Sequence, residues 1–86
     1  MGEIIFDSHG NKFYYNENKQ LHREGGPAVE YVDGQGSWFI NGIRHRLDGP
    51  AMDWDNDKKY WYYKGKHIKC SSQEEFEKYL RLKAFW

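Results

Sequence analysis

At 86 residues the chain has the length of one domain (1–86), and a domain of that size takes only about 60% of its unfolded surface out of water. Thirteen basic and thirteen acidic side chains cancel, which excludes the long-range field that gathers nucleic acid or anionic membrane, and no apolar run approaches the length that spans a bilayer. A mean hydropathy of -1.05 is offset by an aromatic content of 19%, because each Trp, Tyr or Phe brings roughly 150 to 250 Å² to a core poor in aliphatics.

In chain order, the first unit is a faint copy of those that follow. Glu3 to Asp7, His9-Gly10-Asn11, Lys12 to Asn16 and Lys19 to Arg23 predict strand, turn, strand and short strand. Ala28 to Val32, Asp33-Gly34, Ser37 to Ile40, Asn41-Gly42 and Ile43 to Arg46 predict the same series, with Asp-Gly and Asn-Gly accepting the positive φ of hairpin turns. A third copy runs Ala51 to Trp54, Asp55-Asn56-Asp57, Lys59 to Tyr63, Lys64-Gly65 and Lys66 to Lys69. The character changes at Ser71. Ser71 or Ser72 offers an N-cap, Glu74 or Glu75 completes a capping box, and Phe76, Tyr79, Leu80 and Ala84 form one apolar stripe. A helix over 72–84 is expected to cover the end of the sheet and blunt an edge strand.

The string HREGGPA at His22 returns as HRLDGPA at His45, a period of 23 residues. His22/His45, Arg23/Arg46, Gly26/Gly49, Pro27/Pro50, Ala28/Ala51, Trp38/Trp61 and Gly42/Gly65 are identical, and Glu30/Asp53, Tyr31/Trp54 and Phe39/Tyr62 keep their chemistry. Units this short cannot bury an apolar face alone and must stack. The expected fold is mainly β: an antiparallel meander of about three 23-residue hairpin repeats over 3–70, closed by one C-terminal α-helix. Pro27 and Pro50 lack the N–H of a central ladder and mark crossovers between units. Trp38 and Trp61 are expected in the core. Each His-Arg pair is expected to close its turn, the Arg bonding neighbouring carbonyls and carboxylates; Asp48 is in place for Arg46, whereas Gly25 occupies the matching position beside Arg23.

LHREGGPAVEY, SWFINGIRHRLDGPAMDW and YWYYKGKHIK, followed by SSQEEFEKYL, resemble the HRxDGPA repeat proteins, distant relatives of MORN-type repeats that occur in tailed bacteriophages, large DNA viruses and some bacteria. The resemblance covers about Gly10 to Leu82. It implies an architecture, a phage-type origin and, by analogy, a small accessory protein that engages a host or viral protein. Three positions depart from the repeat: Gly25 against Asp48, Glu24 against Leu47, and a last unit ending in His67-Ile68-Lys69.

Candidate chemistry is sparse. His22 and His45 with no third ligand at coordinating spacing fall short of a zinc site. Asp53, Asp55 and Asp57 open like an EF-hand loop, but Lys58 stands at its glycine position and Lys64 at its bidentate glutamate. Ser8-His9, Cys70 and Ser71 are isolated, so neither catalysis nor a cofactor or metal is expected. Cys70 near a helix start is read as a small buried residue. One cysteine and the absence of an export signal in MGEIIFDSHG point to the cytoplasm, the host's if the chain is phage-encoded.

Binding is the expectation instead. Trp61-Tyr62-Tyr63 places rings on both faces of a strand, more than one core face needs. Phe39, Arg44, Arg46, Tyr62, Tyr63 and Lys64 form the predicted contact set for a protein partner. The alternative is single-stranded RNA or DNA on Phe39, Tyr62 and Tyr63, flanked by Arg44, Arg46, Lys58, Lys59, Lys64 and Lys66, which the overall neutrality disfavours. WYYKGK also has the outline of hairpins that hold choline or sugars, the least favoured reading without an export signal. Ile4 and Ile5 are the expected seam if edge strands pair two copies into a homodimer.

Overall fold

A computed structural model describes residues 2–55 and 58–83, without the side chains of Trp54 and Asp55. Asn56 and Asp57 of the expected third-unit turn, Ala84 of the helix stripe and the Trp54 ring matched to Tyr31 therefore lie outside the described residues. The elements are β1 (Glu3–Phe6), β2 (Lys12–Tyr15), β3 (Val29–Glu30), β4 (Gly36–Ser37), β5 (Phe39–Ile40), β6 (Ile43–Arg44), β7 (Met52–Asp55), β8 (Lys58–Tyr63), β9 (Lys66–Ile68) and α1 (Gln73–Lys83). The chain is thus mainly β with one C-terminal helix. Antiparallel pairing runs β1-β2-β3-β4-β7-β8-β9, and β5 and β6 make a separate hairpin.

Two expected strands are cut short. Ser37 to Ile40 divides at Trp38, whose N–H donates to Ala51 O at 2.7 Å and whose carbonyl accepts from His45 N at 3.2 Å. The chain there leaves one neighbour for another, so β4 pairs with β3 and β7 while β5 pairs with β6. Lys19 to Arg23 shrinks to a single bridge between Leu21 and Tyr15. Asn16 explains this, because its Oδ1 accepts from the Asn18 and Gln20 N–H groups and gathers the preceding residues into a side-chain-held turn. Lys19 adopts φ +61° inside it.

The sequence period is repeated in space. Asn41 and Lys64, each with φ +49°, are followed by Gly42 and Gly65 at +80° and +85°, which is the paired positive-φ geometry of a tight hairpin turn. Each of these turns is fastened to the unit before it. Asn41 N donates to His22 Nδ1 at 2.9 Å and Lys64 N to His45 Nδ1 at 2.8 Å. Beside these bonds, Gly42 N donates to Leu21 O and Arg23 N to Phe39 O, and Gly65 N donates to Arg44 O and Arg46 N to Tyr62 O. The histidine of one unit is therefore the acceptor for the turn of the next.

The rest of the motif builds a cap over an aromatic ring. Arg46 lays its guanidinium 3.7 Å from the Trp38 ring centroid and donates to Pro50 O and Asp48 Oδ1, the partner the sequence suggests. Arg23 lies 4.1 Å from the Tyr14 centroid and donates to Pro27 O; its carboxylate comes from Glu30 on β3, which replaces the missing aspartate. A Cβ on Gly26 or Gly49 would fall 2.9 or 2.6 Å from the arginine Cζ, so only glycine leaves room for the cation. Ala28 and Ala51 are fully buried, and their carbonyls accept from Tyr14 N and Trp38 N. Trp38 is consequently half-buried under Arg46 and is not a core residue like Trp61.

In the last unit Ile68 stands at the histidine position of the repeat, and α1 follows in place of another hairpin. Ile68 joins Trp61 and Phe76 in the buried cluster, with Tyr63, Cys70, Tyr79 and Leu80 packed around. Thus α1 covers the Trp61 and Tyr63 side of β8. Ser72 Oγ accepts from Glu75 N, and the Glu75 carboxylate accepts from the Ser71 hydroxyl and N–H, a capping box displaced by one residue. Trp61 Nε1 donates to Gln73 Oε1, whose amide donates on to Leu47 O.

Gly49→Ala should lower stability by about 1 to 3 kcal/mol in urea unfolding, since Arg46 must leave Trp38. The loss should shrink in an Arg46→Ala background, where the added methyl meets no guanidinium. His45 titrates below the usual histidine range because it is half-buried and faces Lys64, which keeps Nδ1 free to accept. The unfolded chain takes a proton first, so stability should be full above about pH 6.5 and fall as the pH drops below it. Denaturation midpoints between about pH 7.5 and 5.5, one unit either side of the free-histidine pKa, should show that slope reduced in His45→Gln.

Candidate interaction face

Cross-strand partners share a face of a sheet. Phe39 is opposite Arg44 in the β5–β6 hairpin, and Tyr62 is opposite His67 in β8–β9. The period of 23 aligns Phe39 with Tyr62 and Arg44 with His67, and the stacked units bring all four side chains into one row. The Arg44 guanidinium lies 4.9 Å from the Phe39 centroid and 5.1 Å from that of Tyr62. His67 continues the row at 5.3 Å from Tyr62 and 5.7 Å from Tyr60. Lys58, Tyr60 and Tyr62 alternate along β8 on the same side, and with Met52 they line an open depression of about 390 Å³.

Arg44 differs from the other stacked arginines. Arg23 and Arg46 each have a carboxylate and a proline carbonyl. Among the described residues nothing accepts from any Arg44 side-chain N–H, and its Nε is buried without a partner. Both rings lie within cation–π range of the guanidinium, each contact worth about 0.5 to 2 kcal/mol, and they offset roughly 1 to 3 kcal/mol for the unmet donor. With Nε buried, the outer Nη edge is the part of the guanidinium left for a carboxylate or phosphate, and no described residue accepts from it.

The predicted contact set therefore divides. Phe39, Arg44 and Tyr62 come together. Tyr63 is on the opposite side of β8, packed beneath α1 with His45 at 5.5 Å and the Lys83 ammonium 5.5 Å from its ring. The period-two alternation that separates Tyr62 from Tyr63 is the physical reason. Arg46 is spent on Trp38, Asp48 and Pro50, and Lys64 belongs to a turn, its ammonium 5.3 Å from the Tyr63 ring. His67 and Tyr60 were not in the set. The repeat pointed to His67 through its match with Arg44, and Tyr60 lies two residues before Tyr62.

The other reactive side chains have structural partners. His22 and His45 use Nδ1 on turn amides. Among the described residues no group of three or more His, Cys, Asp or Glu could hold a metal ion. Burial, followed by the Glu75 charge, pushes the Cys70 thiol above its ordinary range, opposite to activation by a helix start. No described helix is long and apolar enough to cross a membrane. Comparison with known family models, curated proteins and solved structures finds no match to this chain.

Proposed function

We propose that the chain is a non-catalytic protein-binding module that takes an acidic segment of a protein partner on the Phe39, Arg44, Tyr62 and His67 row. The observation that carries this reading is the cation in range of two rings with no acceptor for its outer Nη edge among the described residues. A glutamate or aspartate side chain supplies what that edge lacks, and Tyr60, Tyr62 and Met52 offer apolar contact beside it. Support for binding over catalysis comes from His22, His45, Cys70 and Ser71, each already engaged in turn, core or cap. The resemblance to HRxDGPA repeats supplies, by analogy only, a phage-encoded protein acting on a host or viral partner in the cytoplasm.

A second reading has its own observation: Lys58, Tyr60 and Tyr62 share the face, as a strand-binding surface for single-stranded RNA requires. Net neutrality weighs against it, because phosphate affinity rests on accumulated positive charge.

Fluorescence anisotropy with three labelled probes separates these readings: a Glu-rich peptide with aliphatic spacers, its Lys-rich counterpart, and oligouridine. The acidic peptide alone should bind. Arg44→Gln should weaken it by about ten- to a hundredfold, the worth of one charge-assisted hydrogen-bonded contact, while circular dichroism is unchanged. Arg44→Lys should recover little, because an ammonium cannot stack and fork together. Binding of oligouridine in place of the acidic peptide moves the assignment to nucleic acid, and binding of neither removes it.

A further inference from the structure

The two ends of the array are treated differently by the fold. β9 is three residues long, carries Lys66 and His67, and has α1 over one face. β1 is the other edge of the sheet; it is also short, but its one charged residue, Glu3, stands at its start and no described helix lies over it. Its four residues are all exposed, with Ile4 at 55%, Ile5 at 46% and Phe6 at 62%, and these apolar side chains project from both faces. Natural sheets shield such edges, since an open apolar strand is a template for another.

The hydrogen-bond parity of β1 states what it can receive. Tyr14 spends its N–H on Ala28 O and its carbonyl on His22 N, both away from β1. Its register partner Ile4 therefore sits in a non-hydrogen-bonded pair, with its own N–H and C=O directed at the open edge. Phe6 has the same parity, whereas Asp7 donates inward to Asn11 O at 3.0 Å. The free edge thus offers the donors and acceptors of Ile4 and Phe6, spaced two residues apart.

We infer that this edge pairs antiparallel with β1 of a second copy, about a twofold axis at Ile5. Ile4 then exchanges two backbone hydrogen bonds with Phe6 of the second copy, and Phe6 with its Ile4, giving four across the seam. Ile5 meets its own counterpart in the close, non-hydrogen-bonded position, and every apolar side chain of the strand faces an apolar one. Shifting by two residues in one direction sets Ile5 against Glu3, and in the other against Asp7, so the apolar match selects this register, at the cost of setting Glu3 opposite Asp7 of the second copy. Asp7 does not intrude at the seam, because Asn11 and the His9 N–H hold both of its carboxylate oxygens inside its own turn. The occupant is a second copy because the strand complements itself; the inference does not rest on the acidic-segment reading, which uses a different face.

Sedimentation equilibrium of the full chain up to about 100 μM, well above the Kd of a micromolar contact, should give twice the 10.4 kDa monomer mass. Phe6→Pro removes an outward donor and no bond to β2, so it should return the chain to monomer with unchanged circular dichroism. In a Cys70→Ser background, Ile5→Cys should form a crosslinked dimer on mild oxidation, since paired positions across the axis bring Cα atoms to about 4.5 Å. Ile4→Cys should not, its counterpart being a diagonal neighbour at about 7 to 8 Å. A monomer at every concentration overturns the inference, as does a dimer that survives Phe6→Pro, or one that crosslinks through Ile4 and not Ile5.

Discussion

The bond between a histidine of one unit and the turn amide of the next is the joint on which this structure depends. A turn with two successive residues at positive φ exposes its N–H groups, and at the first two seams those amides point at the preceding unit. A neutral imidazole is suited to receive one of them, because it presents a lone pair at a fixed distance from the backbone. Backbone bonds on either side of the imidazole complete the seam, so adjacent hairpins cannot slide without breaking all three. At the histidine position of the third unit stands Ile68, which the helix follows and which gives its volume to the core.

Between the seams, arginine does the work that aliphatic side chains do in larger domains. Tyr14 and Trp38 are each roofed by a guanidinium that is in turn tied to a proline carbonyl and a carboxylate. The arrangement removes a ring face from water without a leucine or isoleucine, and it explains how a chain of such low mean hydropathy keeps a defined shape. It also makes any side chain at positions 26 and 49 displace the arginine from its ring. The third unit shows the other solution: Trp61 is covered by α1, in a compact apolar cluster with Ile68 and Phe76.

Arg44 stands out against that background. It has the stacking of the structural arginines without their anchors, and it lies on the side of β8 that the helix leaves open. The helix therefore does more than close the array: by taking the Trp61 and Tyr63 side, it assigns the Tyr60 and Tyr62 side to solvent.

Much of the architecture is local and was legible in the sequence. The 23-residue unit, its Asn-Gly and Lys-Gly turns, the Gly-Pro crossovers, the Arg46–Asp48 pair and the serine-capped helix each follow from neighbours a few residues apart, whose chemistry constrains φ and hydrogen bonding directly. The division of Ser37 to Ile40 at Trp38, the substitution of Glu30 for an absent aspartate, the coming together of Phe39, Arg44 and Tyr62, and the separation of Tyr63 from them were decided only by tertiary structure. These depend on how one hairpin registers against the next and on which face the helix claims. Periodicity alone leaves that choice undetermined, because a strand with rings on both sides satisfies the same pattern with either face turned inward.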